Sequence, residues 1–245
     1  MPFGIDFRNL LRSTAVFPHP SRADPDGLLA VGGTLSPENL LRAYASGIFP
    51  WTVHPVTWWS LNPRGIIPIG ELHVSRRLER IVKQKRFTVT FDQAFPAVIE
   101  GCSKPRPDHE ETWITPEFIA AYIRFHELEH AHSAEAWRDE RLVGGVYGVA
   151  IGGFFAGESM FHTETDAGKT ALVMLIRHLQ QRGYVLFDTQ QVTPVTRSLG
   201  AIEIPRSEYL RRLEYAVSLP VTFSDPAKSP EDAEALSTKS GSSCP

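Results

Sequence analysis

The feature that most constrains this chain is a run without a charged residue, Leu142 to Gly157, reading LVGGVYGVAIGGFFAG. It is too short to cross a bilayer as a helix, and five glycines precede Gly157. An apolar run broken by glycines reads as buried strands with bends. With its flanks it resolves into three segments, HSAEAWR, RLVGGVYGVAIGG and FFAGESMF. They predict consecutive antiparallel strands, the first two joined by a turn at Asp139-Glu140. A helix follows in GKTALVMLIRHLQQRG. Its apolar face is Ala171, Leu172, Leu175, Ile176 and Leu179, and Gly183 is its C-terminal cap. The strand YVLFDTQ comes next.

Antiparallel strands, a helix and then a buried strand predict an α+β fold. Acyltransferases of the N-acetyltransferase class share this order. Upstream, Ser36 caps a helix with Pro37 in its first turn, Leu40, Leu41 and Tyr44 share one face, and Gly47 ends it. Three of the five tryptophans, Trp51, Trp58 and Trp59, fall in this part. The expected organisation is a small N-terminal α+β domain over 1–64 and a second domain with a mixed, mostly antiparallel sheet over 65–223. The end, 224–245, is rich in Ser, Pro and charge and poor in large apolar residues, so a disordered tail is expected there.

Length and composition suit one or two globular domains: 245 residues, 42% apolar and 22% charged. The N-terminus lacks the apolar stretch of a signal peptide, and Cys102 and Cys244 make no disulfide framework. A cytoplasmic, soluble protein is expected. A net charge of −3 gives no global sign of nucleic-acid binding, so the distribution of charge matters more.

Two motifs are decoys. His126-Glu127-Leu128-Glu129-His130 matches HExxH, which on a helix would turn two imidazoles toward zinc. No third ligand is clearly supplied, because His132 and Glu158 both read as strand residues. Ala167-Gly168-Lys169-Thr170 resembles the end of a phosphate-binding loop, but the glycine five positions before Gly168 is Thr163.

Charge gathers elsewhere. A helix predicted from Leu72 to Arg86, with Ser75 as cap, carries Arg76, Arg77, Arg80, Lys83, Lys85 and Arg86 against Glu79 alone. A second helix is capped by Thr115 with Pro116 in its first turn. Basic side chains suit phosphates, and Trp51, Trp58, Trp59 and Trp113 offer faces on which bases stack. Glu158 and Asp188 are acids at the ends of apolar strands, and Gln190 projects on the same side as Asp188 by the two-residue strand period. Together they are candidates for one cleft.

These residues sit in segments that resemble the leucyl/phenylalanyl-tRNA–protein transferases. The matching segments are DGLLAVGGTLSPENLLRAYASGIFPW, WWS followed by NPR, TWIT, HAHSAEAW, LVGGVYGVAIG, GESMF, ALVML, FDTQ and SLGAIEIPR, in order over roughly residues 15 to 210. The resemblance implies a C-terminal domain of N-acetyltransferase-like (GNAT-type) fold. It implies transfer of Leu, Phe or, less well, Met from aminoacyl-tRNA to protein N-termini bearing Lys or Arg, which creates a degradation signal of the N-degron pathway. No metal, added nucleotide or other cofactor is implied, because the aminoacyl ester is already activated.

By the same resemblance, Trp51 and Trp113 flank the terminal adenosine of the tRNA, with Tyr44 and Tyr122 nearby. Glu158 helps receive the acceptor, and Asp188 and Gln190 form the reaction-centre pair. The basic helix from Arg76 to Arg86 meets the tRNA backbone. Asp188 is expected to orient Gln190 and to draw the proton from the attacking amine. An apolar pocket near GGFF and GESMF is expected to select Leu and Phe. The chain departs from the usual pattern at Leu61, Asn62, Gly168 and Thr193. A small-molecule N-acetyltransferase would need a fuller glycine-rich pyrophosphate loop, and a non-catalytic RNA-binding module would leave Glu158, Asp188 and Gln190 without a task.

Overall fold

A computed structural model describes residues 17–105 and 112–224. The tail expected to be disordered lies, from 225 onward, outside the described residues.

The N-terminal part is a three-stranded antiparallel sheet, β1 (Leu28–Val31), β2 (Phe49–Val53) and β3 (Val56–Trp59), in the order β1-β3-β2. Helix α1 (Pro37–Ala45) lies between β1 and β2 and starts as the sequence predicts, with Ser36 Oγ accepting from the Asn39 amide at 3.3 Å. Leu40, Leu41, Ala43 and Tyr44 are its buried residues. Gly47 follows at φ 79°, and a Cβ there would lie 2.6 Å from Leu210 Cδ2. Glycine therefore supplies both the left-handed turn and the close approach.

The second sheet has seven strands: β4 (Arg64–Ile67), β5 (Thr88–Phe91), β6 (Ala131–Arg138), β7 (Arg141–Ile151), β8 (Phe154–His162), β9 (Leu186–Gln190) and β10 (Ile202–Ile204). Their order is β10-β4-β9-β8-β7-β6-β5, and every pair is antiparallel except β8 with β9. This is the expected α+β fold with a mixed, mostly antiparallel sheet. The β6–β7 turn falls at Asp139 and Glu140, both at positive φ, which matches the twist of a tight hairpin.

The other helices are α2 (Arg76–Lys83), α3 (Phe95–Ser103), α4 (Pro116–Glu127), α5 (Ala167–Arg182), α6 (Pro194–Ser198) and α7 (Arg206–Val217). Helix α5 is the crossover that makes β8 and β9 parallel. Its predicted apolar face is buried, and Gly183 caps it in the left-handed conformation.

Period-2 alternation divides the core. Phe155 and Phe187 join α5 on one face of the sheet, while Phe154, Ala156 and Leu186 join α3, α4 and the N-terminal residues on the other. The small sheet and the large one therefore share a core, with Leu40, Tyr44 and Trp58 in the same cluster as Phe118, Tyr122 and Tyr147.

The predicted helix from Leu72 to Arg86 is shorter than expected. Ser75 Oγ caps it at the Leu78 amide, so residues 72–74 stay outside. Lys85 turns to φ 50°, which leaves Lys85 and Arg86 beyond its end. The strand expected at 184–190 begins at Leu186. No helix among the described residues is long and apolar enough to cross a membrane.

Candidate active site

The site lies where β8, β9 and β4 meet α1 and α4. Two register shifts build it. On β8, Tyr147 faces Ser159 while the next residue, Gly148, faces Gly157, so Glu158 is the extra residue of a bulge. On β9, Gly65 faces Gln190 while Ile66 faces Asp188, so Thr189 is the extra residue of a second. Bulges re-aim side chains and concentrate beside active sites. Gly65 is needed at the second one, because a Cβ there would lie 2.8 Å from both Gln191 C and Thr189 Oγ1.

The sequence-predicted trio comes together. Gln190 Nε2 donates to Glu158 Oε1 at 3.0 Å, and the Gln190 amide donates to Asp188 Oδ1 at 2.8 Å. Gln190 sits at φ 52°, a left-handed conformation that residues with a Cβ seldom adopt and that tends to mark functional sites. The Asp188 carboxylate holds it there.

Asp188 is wholly buried and saturated. Its Oδ1 accepts from Arg64 Nε at 2.9 Å and from the Gln190 amide. Its Oδ2 accepts from Arg64 Nη2 at 2.6 Å and from the Tyr209 hydroxyl at 2.8 Å. Four donors occupy the two oxygens. To draw a proton from an amine, as the sequence led us to expect, Asp188 would have to release one of them. The contacts suit an anchor and oppose a base.

Arg64 is the main residue that sequence reasoning passed over. It is 1% exposed, its guanidinium lies 4.7 and 4.6 Å from the rings of Phe49 and Tyr209, and it donates through Nη1 to Gly47 O at 3.3 Å. Burial alone would lower its pKa, but Asp188 beside it carries the net shift upward, so it stays charged. The sequence shows it only as the last residue of the NPR segment and the first of an apolar one, RGII, with its partner 124 positions away.

Glu158 has the opposite electrostatics. Burial pushes its carboxyl up to about 8, against the hydrogen bond from Tyr44, and the Asp188 charge adds to the rise. The acid form therefore prevails at neutral pH. Tyr44 and Tyr122 are buried with their hydroxyls in direct contact, and burial beside Glu158 raises both pKa values well above the ordinary tyrosine range. Tyr122 also packs edge-on against Tyr147 at 5.8 Å. The two tyrosines thus form the floor beside Glu158, with no free ring face.

Trp51 and Trp113 are partly exposed and lean on the same core. Trp51 meets Trp59 edge-on at 5.1 Å, and Trp113 meets Phe118 edge-on at 5.2 Å. Their segments are joined where His54 in the β2–β3 turn meets Glu117 in the first turn of α4 at 3.2 Å. The basic residues Arg76, Arg77, Arg80 and Lys83 on α2, with Lys85 and Arg86 after it, are all exposed. Arg77 pairs with Asp166, and Lys83 lies 3.8 Å from Glu79.

The HExxH reading fails on geometry. Helix α4 ends at Glu127, and Glu129 turns to φ 62°, which removes His130 from the helix. Another group gathers instead: ligating atoms of Asp92, His126 and His132 lie within 4.8 Å of one another. Their hydrogen bonds run within the fold. His132 Nδ1 meets Asp92 Oδ2 at 2.8 Å and its Nε2 meets Glu129 O at 3.2 Å, while His126 Nδ1 meets Ala131 O at 2.7 Å. AGKT forms the first turn of α5, its Gly168 close against the Phe161 carbonyl.

The sequence profile of the leucyl/phenylalanyl-tRNA protein transferases matches residues 66–214, and that of their N-terminal domain matches residues 33–62. The chain belongs to this family. Among the family's curated members, the leucyl/phenylalanyl-tRNA–protein transferase of Maridesulfovibrio salexigens is 51% identical over 209 residues, covering 84% of this chain and 87% of the relative. That of Nitratidesulfovibrio vulgaris is 52% identical over 208 residues, covering 84% and 89%. Similar solved structures include L-PGS from Bacillus licheniformis, with 13% identity, TM-score 0.37 and coverage of 66% of this chain and 52% of that one. A GCN5-related N-acetyltransferase from Kribbella flavida gives 11% identity, TM-score 0.35 and coverage of 66% and 59%. Likeness at that level leaves the fold to be read from the sheet itself.

As a leucyl/phenylalanyl-tRNA protein transferase, the chain is an aminoacyltransferase. The four positions singled out in the sequence, Leu61, Asn62, Gly168 and Thr193, have local structural roles. Leu61 is buried, Asn62 Oδ1 accepts from the Arg206 amide at 3.0 Å, and Thr193 caps α6 in a capping box with Thr196. A Cβ at position 168 would lie 2.8 Å from Phe161 O, which favours the glycine found there.

Proposed function

We propose that this chain moves Leu, Phe or, less well, Met from aminoacyl-tRNA to the N-terminal α-amine of proteins beginning with Lys or Arg, in the cytoplasm, and so marks them for degradation. The observation that carries this reading is the Glu158–Gln190–Asp188 cluster, held on two bulges between Arg64 and the Tyr44–Tyr122 pair. Membership of the family supports the reaction class.

The reaction is aminolysis of an ester. The neutral α-amine attacks the aminoacyl carbonyl, the new C–N bond forms, and the C–O bond to the terminal ribose breaks. The amine gives up its proton, and the ribose oxygen leaves with one. An α-amine has a pKa near ~8, so a share is neutral at physiological pH. The site must supply position and polarity more than a strong base. Gln190, with Nε2 on Glu158, keeps its carbonyl oxygen as an acceptor for the amine N–H. Its backbone is pinned by Asp188, which acts as the anchor. In this reading the proton passes to the leaving ribose oxygen.

Glu158 receives the acceptor. It is a carboxyl kept largely neutral by burial, and a cationic Lys or Arg side chain beside it would favour its ionised form. Trp51 and Trp113 hold the terminal adenosine, with Tyr44 and Tyr122 beneath, and Arg76, Arg77, Arg80, Lys83, Lys85 and Arg86 meet tRNA phosphates. An apolar pocket separates side chains that differ by one methylene by only ~1–3 kcal/mol, so side activity toward Met is expected.

The test is transfer of labelled leucine from leucyl-tRNA to a peptide beginning with Arg and to the same peptide beginning with Gly. Transfer to the Arg peptide alone supports donor, reaction and acceptor rule together. Equal transfer to both would remove the acceptor rule and the role given to Glu158.

A further inference from the structure

We propose that Arg64 is a positioning residue of the transfer reaction: it clamps the Asp188 carboxylate that sets Gln190, and it ties that setting to the end of α1. This rests on the aminoacyl-transfer reading above.

The clamp is two-pronged. Nε and Nη2 of one planar guanidinium meet the two oxygens of one carboxylate at 2.9 and 2.6 Å, which fixes the plane of Asp188 as well as its place. The same Oδ1 that takes Arg64 Nε takes the Gln190 amide. A rotation of the carboxylate would therefore release the left-handed turn at Gln190 and swing its side chain off Glu158.

Arg64 is itself held by its surroundings. The rings of Phe49 and Tyr209 lie 4.7 and 4.6 Å from its guanidinium carbon, and Nη1 reaches Gly47 O. Gly47 closes the helix that carries Tyr44, whose hydroxyl meets that of Tyr122 beside Glu158. Thus one guanidinium joins the turn after α1, the aromatic wall of α7 and the Asp188–Gln190 turn. Lysine could not replace it, because an ammonium offers no planar fork and does not stack on aromatic rings as a guanidinium does. A buried ion pair is weak evidence of stability in itself. The expected signature is therefore in turnover and not only in folding.

The experiment uses the full chain and measures single-turnover transfer of labelled leucine from leucyl-tRNA to a peptide beginning with Arg, together with leucyl-tRNA affinity and thermal melting. Arg64→Lys and Arg64→Gln are expected to lower the transfer rate ~10–100-fold, with donor affinity nearly unchanged. In an Asp188→Asn background, Arg64→Gln should cost far less than it does alone, because its effect travels through that carboxylate. Equal costs in both backgrounds, or weakened donor binding with the rate preserved, would overturn the proposal. Should the Arg64 variants fail to fold, Tyr209→Phe removes the neighbouring donor to Asp188 Oδ2 and keeps the ring. A lower rate at constant donor affinity supports the clamp, and an unchanged rate contradicts it. Absence of transfer by the unmodified chain would instead strike the proposed function.

Discussion

Gln190 Nε2 donates to Glu158 Oε1 at 3.0 Å, so the parallel strands β8 and β9 are joined by a side-chain hydrogen bond just past their paired residues, 154–156 and 186–188. One partner is a neutral amide pinned at its backbone, and the other is a carboxyl whose proton is held to about pH 8 by burial. The pair places an acceptor for an amine N–H beside a group able to respond to a cation. The chemistry asked of this site follows from that adjacency.

The charge state of Glu158 has a consequence for stability. Its pKa rises from an ordinary 4.5 to about 8 in the folded chain. Between those values the folded state holds a proton that the unfolded state has lost, so stability falls as pH rises through that window and levels off above it. Glu158→Gln removes this decline. The variant should match the unmodified chain near pH 4 and exceed it at pH 9, by roughly 1–3 kcal/mol once partial exposure screens the charge. Parallel melting curves of the two proteins across this range would contradict the assignment.

The Tyr44–Tyr122 hydroxyl pair is buried. Tyr44→Phe leaves the buried Tyr122 hydroxyl without that partner, at an expected cost of ~1–3 kcal/mol. Changing both tyrosines to Phe removes both ends and should cost less than the sum of the single changes. Urea unfolding of the three variants measures this, and strict additivity would show that the hydroxyls do not act as a pair.

The basic helix makes a salt-dependent prediction. Arg76→Ala and Arg80→Ala should each weaken tRNA binding similarly for tRNAs of different sequence. Each should reduce the slope of log K against log salt by about 0.7–0.9 for a lost phosphate contact. An unchanged slope would move the RNA to another face of the molecule.

Trp51 and Trp113 lean on the shared core but remain partly exposed. Trp51→Ala and Trp113→Ala should each weaken binding of an aminoacyl-adenosine fragment by ~1–3 kcal/mol per stacked base. The same loss from Trp58→Ala would be unexpected by stacking, because Trp58 is buried and donates to Gly32 O at 2.9 Å.

Much of this arrangement was legible where one residue dictates one local geometry. Ser36, Thr115 and Gly183 mark helix ends, Asp139-Glu140 marks a hairpin, and the α5 face follows a helical period. Glu158, Asp188 and Gln190 could be picked out as polar groups ending apolar strands. What stayed hidden depends on distant partners. Arg64 acquires its role from Asp188 on another strand, and the bulge at Glu158 follows from a register shift against β7. HELEH and the stretch from Leu72 to Arg86 look continuous in sequence, but positive φ at Glu129 and Lys85 cuts both. The strand Thr88–Phe91, short and with no residue fully buried, carries too weak an alternation to announce itself.

The most direct measurement is single-turnover transfer of leucine from saturating leucyl-tRNA to a peptide beginning with Arg, comparing the unmodified chain with Gln190→Ala. The account predicts a loss of ~100-fold in rate for Gln190→Ala with leucyl-tRNA still bound. Transfer by Gln190→Ala at the unmodified rate would show that the Glu158–Gln190–Asp188 cluster does not carry the reaction.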